Sequence, residues 1–385
     1  MIIAIDIRLL GKKRTGDEAV FFHLTKELLK KDAFDVTSYR LLTDETDTTK
    51  IATLYARLEC IGQKNVTILS LPTPNRFTWN AFTLPKYLFH NKVDVFHTQY
   101  ILPYFVPKRT KIVTHIHDVS FCVYPKLIGF VDRFFLSILI PRSLRKATHI
   151  ITPSQFTKDE VIKYYGIEPE KITIIPNGIG AEFLEKSSDS LQERNETLRE
   201  KYHLPSTFIL SVGTLQPRKN IPFLLDAFTH LKKRLPEIKL VIVGNRNAHH
   251  TDMHIAEKII EHTLEEDVIF PGFIETEDLP GVVRLATVFV FPSLYEGFGI
   301  PLLEAMSQSV PVASSDIPSL REVGGDAARY FDPKDVASCE EILYTLCTDN
   351  VERLRLKQAG NERIKRFSWE ESALLLIRLY QKIGV

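Results

Sequence analysis

The sequence lacks the features of several large classes of protein. No stretch approaches the ~20 uninterrupted apolar residues that a membrane-spanning helix needs, and the N-terminus does not have the layout of a signal peptide. The four cysteines are scattered, without the spacing of a zinc site or the density of a secreted disulfide scaffold. No Asp-x-Asp occurs either, so the carboxylate pair that often holds a metal is missing. We expect a cytoplasmic protein with buried, reduced thiols.

The composition is that of a water-soluble globular protein, with 44% hydrophobic and 25% charged residues. A length of 385 residues favours two domains, each with its own core. Residues 1–178 carry 25 Lys and Arg against 17 Asp and Glu, a net charge of +8, which leaves −7 for the rest of the chain. A basic domain suits an anionic membrane or a phosphorylated acceptor, but an unevenly charged solvated surface explains the asymmetry equally well.

Short β-branched or aliphatic runs alternate with longer amphipathic segments, which predicts parallel sheets with crossover helices. Predicted strands in the first half cover residues 2–7, 66–71, 93–97, 112–115, 150–152 and 172–175. Those in the second half cover residues 208–212, 240–243, 268–270, 288–291 and 310–313. A polar stretch over 179–206 predicts a linker between them. We therefore predict an α/β protein with two Rossmann-like doubly wound domains, 1–178 and 207–367, facing a central cleft.

The most informative segment, residues 291–306, follows a predicted strand and opens a predicted helix. Gly297 and Gly299 permit a tight turn and a close approach of the backbone to a ligand. The amides of Phe298 to Ile300, at the positive end of the helix, then present a site for a pyrophosphate.

Two carboxylates flank this turn, Glu296 before it and Glu304 about one helical turn inside. A carboxylate beside a phosphate would repel it unless the carboxylate binds hydroxyl groups, which suits the sugar and ribose of a nucleotide sugar. A dinucleotide-binding motif is a weaker interpretation, because Leu302 stands where a third small residue belongs. An ordinary tight turn explains the glycines but not the spaced acids.

The stretch Glu-Gly-Phe-Gly-Ile-Pro-Leu-Leu-Glu-Ala-Met, from Glu296 to Met306, closely resembles the family 4 retaining glycosyltransferases of the GT-B fold. The similarity extends through residues 319–328 to Asp332-Pro333 and covers most of the second domain. The resemblance implies a retaining, metal-independent hexosyltransferase without a cofactor, in which Glu296 orients the donor sugar and Glu304 binds the ribose. It also implies that a terminal helix over 368–385 crosses back to the first domain.

A second loop, residues 211–220, follows the first predicted strand of the second domain. Its adjacent cations, Arg218 and Lys219, can neutralise a departing diphosphate. The resemblance assigns the pair to the donor phosphates, although many family members have an arginine where Thr214 stands. Two solvated cations capping a turn are the alternative interpretation.

The first domain supplies three candidate residues. His117 and Asp118 end a predicted strand, and the resemblance implies that the histidine of this pair contacts the donor sugar. A histidine held by backbone partners is the alternative. Gly16 matches the family's glycine loop beneath the donor phosphates, where many members have two or three glycines. A metal bound by His115 and His117 lacks further ligands, and His249, His250 and His254 fit a solvated loop better than a metal cluster.

Residues 126–146 form a predicted apolar helix closed by Pro141 and followed by cations. Either it lies on an anionic membrane near a lipid-linked acceptor, at the inner membrane surface, or it packs on the first sheet. The sequence around Arg218 and Tyr124-Pro125 is similar to mannosyltransferases of bacterial polysaccharide and lipopolysaccharide synthesis, which implies GDP-mannose as donor and a saccharide or lipid-linked acceptor. UDP-sugars, epimerase or phosphorylase chemistry, and a non-catalytic sugar-nucleotide-binding protein remain alternatives. No nucleic-acid partner is expected.

Overall fold

The computed structural model describes residues 1–12, 16–32, 37–125, 129–184, 191–246, 248 and 251–384. The chain divides into two compact units. The first unit comprises Met1–Val123, Ile128–Gly178 and Ser368–Val385, and the second comprises Tyr124–Leu127 and Ile179–Phe367.

Within the described residues, the first unit contains a seven-stranded parallel sheet with the order β3-β2-β1-β4-β5-β6-β7. Its strands are β1 Ile2–Asp6, β2 Ser38–Thr43, β3 Val66–Ser70, β4 Val95–Gln99, β5 Lys111–His115, β6 His149–Thr152 and β7 Ile172–Ile174. Strand β2 was missed in the sequence, because Arg40 interrupts its apolar run. The central strands are buried on both faces, as expected for a parallel sheet covered by helices.

The helices of the first unit lie within residues 1–178, except for the last one, which comes from the end of the chain. They are α1 Gly16–Lys31, α2 Thr48–Arg57, α3 Arg76–Thr78, α4 Leu84–His90, α5 Ser120–Val123, α6 Phe130–Lys146, α7 Gln155–Tyr165 and α17 Trp369–Gly384. A π-helical turn, Trp79–Thr83, joins α3 to α4, and a 3-10 turn covers Pro169–Lys171. Pro141 lies inside α6 and does not close it, since the helix runs on to Lys146.

Helix α17 belongs to the core of the first unit. Its N-terminus is capped by the Ser368 hydroxyl, which accepts a hydrogen bond of 3.1 Å from the amide of Glu370. Trp369 stacks on His23 of α1 with ring centroids 5.6 Å apart. Further along, Tyr380 is fully buried and its hydroxyl lies 2.5 Å from Nδ1 of His97 in β4. The last helix therefore completes the unit that contains the first strand.

The second unit contains, in its described part, a six-stranded parallel sheet with the order β10-β9-β8-β11-β12-β13. Its strands are β8 Phe208–Val212, β9 Lys239–Val243, β10 Val268–Ile269, β11 Val288–Phe291, β12 Val312–Ser315 and β13 Ala328–Phe331. Strand β13 was not predicted, because its alternation is only four residues long. The strands pack against a core that includes Phe208, Phe289 and Leu302.

The helices of the second unit begin within the stretch expected to link the domains. They are α8 Ala181–Leu184, α9 Leu191–Tyr202, α10 Ile221–Arg234, α11 His254–Glu261, α12 Leu279–Arg284, α13 Ile300–Ser307, α14 Pro318–Gly324, α15 Val336–Thr348 and α16 Asn350–Arg363, with 3-10 turns at Pro217–Lys219, Gly325–Ala327 and Ile364–Arg366. Leu198 and Tyr202 of α9 are buried in the same core as β8 and β11. The polar composition of this stretch therefore reflects the exposed face of a helix.

The order of the strands determines which candidate loops lie next to each other. In each sheet the direction of winding reverses beside the first strand, between β1 and β4 and between β8 and β11. Ligands of open parallel sheets bind beyond the carboxyl ends of the strands at this reversal. The loops after β8 and β11 carry Arg218, Lys219 and Glu296, so these distant segments of sequence become neighbours.

Candidate functional site

In the second unit, Glu296 forms ion pairs with both predicted cations. Its Oε2 lies 3.0 Å from Nη1 of Arg218, and its Oε1 lies 2.5 Å from Nζ of Lys219. The backbone ties the same loops together, because the amide of Leu294 donates to the carbonyl of Arg218 over 2.8 Å. Arg218 also donates to the carbonyl of Tyr295 over 3.2 Å. We call Arg218, Lys219 and Glu296 the charge triad.

Burial and the two cations have opposite effects on the pKa of Glu296. Glu296 is only 8% exposed. Burial alone raises the pKa of its carboxyl, but Lys219 and Arg218 outweigh that effect and lower the pKa to about 2. Glu296 is therefore ionised at neutral pH, and the triad carries a net charge of +1. Lys219 also lies over the ring of Phe291, 4.8 Å from its centroid, which fixes the ammonium group beside the end of β11.

A small pocket opens beside Lys219. Its walls come from the ends of β8, β9 and β11 and from the loop after β8, including Gly213, Thr214 and Ser293. The walls thus combine a cation, backbone and small polar side chains, a combination suited to an anionic group. The sequence did not predict Ser293 as part of this site.

The glycine turn after β11 has the conformation that its sequence predicts. Gly299 precedes α13 with φ +117°, in the left-handed region, and an added Cβ would lie 2.6 Å from Cδ2 of Leu320. Gly297 and Phe298 are buried, and the Phe298 ring packs edge-on against Phe367. Phe298 can therefore offer a ligand its backbone, whereas its side chain belongs to the core.

Ile300 begins α13 and Glu304 lies one turn later, and both are half-buried. The first amides of α13 lie at the positive end of the helix dipole, where an anion is stabilised. Glu304 does not belong to the charge triad, so the two flanking glutamates occupy different surroundings. The sequence suggested that the two acids flank a diphosphate and bind different hydroxyl groups, and in the structure Glu296 forms ion pairs with Arg218 and Lys219.

In the first unit, His117 follows β5 and is 6% exposed. Its Nε2 lies 2.8 Å from Oε1 of Gln99 at the end of β4. Its ring stacks on that of His115, with centroids 4.3 Å apart and planes at 21°. The partner of His117 is thus a side chain and not the backbone that the alternative interpretation expected. Sequence reasoning missed Gln99, although its position at a strand end beside β1 is a usable signal.

A third histidine, His97, continues the stack into the core. The rings of His97 and His115 lie 6.3 Å apart and 13° from parallel, and Phe21 contacts both edge-on. Burial, with a smaller effect of His117, lowers the pKa of His97 to about 3. The pKa of His115 also lies well below its usual value, mainly because the ring is buried and to a smaller extent because His117 and His97 are close to it. Both rings are therefore neutral at physiological pH.

Asp118 and Gly16 have different local environments. Oδ1 of Asp118 accepts hydrogen bonds from the amide and hydroxyl of Ser120, at 2.9 and 2.8 Å, and so caps the start of α5. Gly16 begins α1, and a Cβ added to it would meet no atom within 4 Å. The fold itself does not require glycine at position 16. Nearby, Glu18 accepts the amide of Gly11 over 2.8 Å and so anchors the loop after β1, a role that the sequence did not reveal.

Asp6, at the end of β1, is a half-buried carboxyl that sequence reasoning missed. Burial raises its pKa, against the effect of the Trp79 indole, which donates to it over 3.0 Å. Among the described residues, no group of three or more His, Cys, Asp or Glu side chains is arranged to hold a metal ion. His254 pairs with Asp252, whereas His249 and His250 lie outside the described residues. The described helices include none that is long and apolar enough to cross a membrane.

Known protein families match most of the chain. The profile described as Glycosyl transferases group 1 matches residues 194–363, and that described as Glycosyltransferase Family 4 matches residues 15–183. The O-antigen chain mannosyltransferase B of Escherichia coli is 31% identical over 80% of this chain and 77% of that protein. The serotype-specific mannosyltransferase WbdA of Escherichia coli is 33% identical over 62% of this chain, which spans only 29% of that longer protein.

Solved structures agree in fold. A sucrose-phosphate synthase from Thermosynechococcus elongatus superimposes with a TM-score of 0.75 at 21% identity, covering 99% of this chain and 98% of that one. The predicted architecture of two doubly wound parallel-sheet domains of the GT-B type is confirmed.

Proposed function

The chain belongs to the family 4 glycosyltransferases, and from this premise we propose that it transfers mannose from GDP-mannose to a saccharide or lipid-linked acceptor. The transfer retains the configuration of the sugar. The product belongs to a bacterial polysaccharide or lipopolysaccharide. The names of the similar mannosyltransferases support the choice of sugar and pathway.

The observation that carries this proposal is the charge triad at the ends of adjacent strands β8 and β11. Transfer breaks the bond between the sugar and the diphosphate, so negative charge grows on the leaving group. Arg218 and Lys219 lie where they can neutralise that charge, and the start of α13 adds its dipole. We propose that these groups supply the neutralisation without a metal ion and without a cofactor.

Each remaining candidate residue has a role in this proposal. Glu296 orients sugar hydroxyls, and Glu304 binds the ribose. The amides of residues 297–300 donate hydrogen bonds to the diphosphate. In the first unit, His117 contacts the donor sugar, and Gly16, at the start of α1, and Asp118, after β5, also bind the donor.

Peripheral contact with an anionic membrane is a further part of the proposal. Ile140 and Leu144 of α6 are fully buried, whereas Phe135 and Ile138 of the same helix are 45% and 51% exposed. One face of α6 therefore packs in the core while apolar side chains remain on the other face, near Arg145 at its end. Flotation with anionic vesicles at low salt should recover the protein, and recovery in the neutral-vesicle control alone, or in neither, would contradict this contact.

Thermal unfolding in the presence of nucleotide sugars tests the donor. A ligand at 100 times its dissociation constant stabilises the folded state by about 2.7 kcal/mol. We expect GDP-mannose to raise the unfolding temperature more than UDP-glucose does, and Lys219→Met to reduce that rise. Stabilisation by UDP-glucose alone would favour a UDP-sugar hexosyltransferase, and no stabilisation by any nucleotide sugar would contradict the proposal.

Release of GDP distinguishes transfer from simple binding. With GDP-mannose and a lipid-linked or polysaccharide acceptor, we expect free GDP to accumulate only when the acceptor is present. Binding of GDP-mannose without release under any of these conditions would support a non-catalytic binding protein instead.

A further inference from the structure

Residues at the end of β4 contact the loop that contains His117 and Asp118. Oε1 of Gln99 lies 2.8 Å from Nε2 of His117. The next residue, Tyr100, accepts the amide of Asp118 at its hydroxyl over 3.3 Å, and its ring lies 5.6 Å from that of His117. Two consecutive side chains thus contact two consecutive residues of the loop after β5.

Backbone geometry explains how both side chains reach the same loop. Successive side chains of an extended strand point to opposite faces of the sheet. Tyr100 leaves the strand with φ +51°, a left-handed conformation that costs a non-glycine residue about 1 kcal/mol. Its amide donates to the carbonyl of His115 over 3.0 Å, which ties this turn to β5. The strained turn persists because the surrounding contacts determine it.

We propose that Gln99 is a positioning residue for His117, fixing the plane and the tautomer of its ring. An amide oxygen accepts hydrogen bonds but cannot donate them, so Nε2 carries the hydrogen and a neutral ring keeps its lone pair on Nδ1. The stacked ring of His115 holds the plane from one side and Tyr100 from another. This inference rests on the proposed function, in which His117 contacts the donor sugar.

Two substitutions of Gln99 separate positioning from packing. Gln99→Leu removes the acceptor, and we expect kcat/KM to fall about tenfold. The unfolding temperature should fall by a few degrees, because the buried Nε2–H of His117 loses its acceptor. Gln99→Glu keeps an acceptor but adds a charge that stabilises the imidazolium form of His117. The acidic limb of its pH-rate profile should therefore move to higher pH. The ionisable groups around the ring, His115, His97, Tyr100 and Asp118, are the same in both variants.

Gln63→Leu provides a matched control. Gln63 is a half-buried glutamine of the same unit whose amide donates to the carbonyl of Glu59, away from the candidate residues in sequence. We expect its kcat/KM and pH-rate profile to be those of the wild type. If Gln63→Leu lowers kcat/KM as much as Gln99→Leu, the effect of Gln99 is general packing and the inference is wrong.

A direct readout does not depend on activity. The ¹⁵N chemical shifts of histidine rings report the tautomer, and His117→Gln identifies the resonance. We expect the Nε2–H tautomer in the wild type and a mixture of tautomers in Gln99→Leu. Unchanged shifts in Gln99→Leu would overturn the inference even if sugar transfer is demonstrated. Conversely, the expected shifts in a protein that transfers no sugar would leave the role of Gln99 intact and contradict only the proposed function.

Discussion

The two units share one architecture but present opposite chemistry at the ends of their central strands. In the second unit, β8 and β11 lead to the charge triad, whose carboxylate has a pKa of about 2 because the two cations outweigh its burial. In the first unit, β4 and β5 lead to the stacked histidines, where burial lowers the pKa of His97 to about 3 and keeps the ring neutral. Charge suits a diphosphate, whereas neutral donors and acceptors suit hydroxyl groups. Equivalent positions in the same kind of sheet therefore offer a ligand different chemistry in the two units.

The largest effect that this comparison predicts is the loss of Glu296. We expect Glu296→Ala to lower turnover about 100-fold or more, because it removes an oriented contact and leaves both cations without their partner. Steady-state rates of sugar transfer measure this effect. Glu265→Ala, which changes an exposed glutamate of the same unit, is the control and should keep wild-type turnover. Near-normal turnover in Glu296→Ala would show that the charge triad has no role in the reaction.

Acid should destabilise the first unit before the second. His97 and His115 bind protons in the unfolded chain below pH 6.5 but not in the fold, so their contribution to stability is present above that pH and declines below it. For His97 the loss is about 2 kcal/mol at pH 5. The stability that Glu296 contributes is present above pH 4.5 and is lost only as the pH falls toward about 2. The protection of backbone amides against hydrogen exchange, after correction for the slower intrinsic exchange in acid, should therefore fall between pH 7 and 5 at β4 and β5 but not at β8 and β11.

A variant sharpens this acid test. In His97→Gln the ring no longer titrates, so the loss of protection at β4 between pH 7 and 5 should become smaller than in the wild type. If β8 and β11 lose protection at a higher pH than β4 and β5, the predicted order of acid destabilisation is wrong.

The smallest predicted effect contrasts one glycine in each unit. Gly299→Ala should reduce the free energy of unfolding by about 2 kcal/mol, because position 299 has φ +117° and an added Cβ would meet Leu320. Gly16→Ala should change it by less than about 0.5 kcal/mol, since the space around position 16 is open. Chemical denaturation of both variants measures the difference. Equal destabilisation would mean that the fold requires glycine at both positions.

Local patterns were sufficient to predict much of the fold and part of the site. The glycine turn before α13 follows from turn chemistry within a few residues. The terminal helix expected over 368–385 is α17, Trp369–Gly384. Strand β2 could not be predicted from alternation alone, because its identity depends on pairing with β1 and β3. Helix α6 passes through Pro141 because its packing outweighs the local preference of proline.

Contacts between distant loops account for what the sequence did not reveal. Glu296 meets Arg218 only because β11 pairs with β8, which brings residues 78 positions apart together. Gln99 meets His117 only because β4 pairs with β5. The sequence showed which residue types were available at the strand ends. The order of the strands decided which of them became partners, and the assigned roles in substrate binding stay predictions.

Because α17 packs in the first unit, the part of the chain that is synthesised first depends on a segment that is synthesised after the second unit. A ribosome that has just added Phe367 has already made every described strand of the second unit. At the same moment the earlier-made unit still lacks Tyr380, the hydrogen-bond partner of His97, and Trp369, the stacking partner of His23. The part of the protein that emerges first is therefore the part that must wait longest for its interior to be sealed.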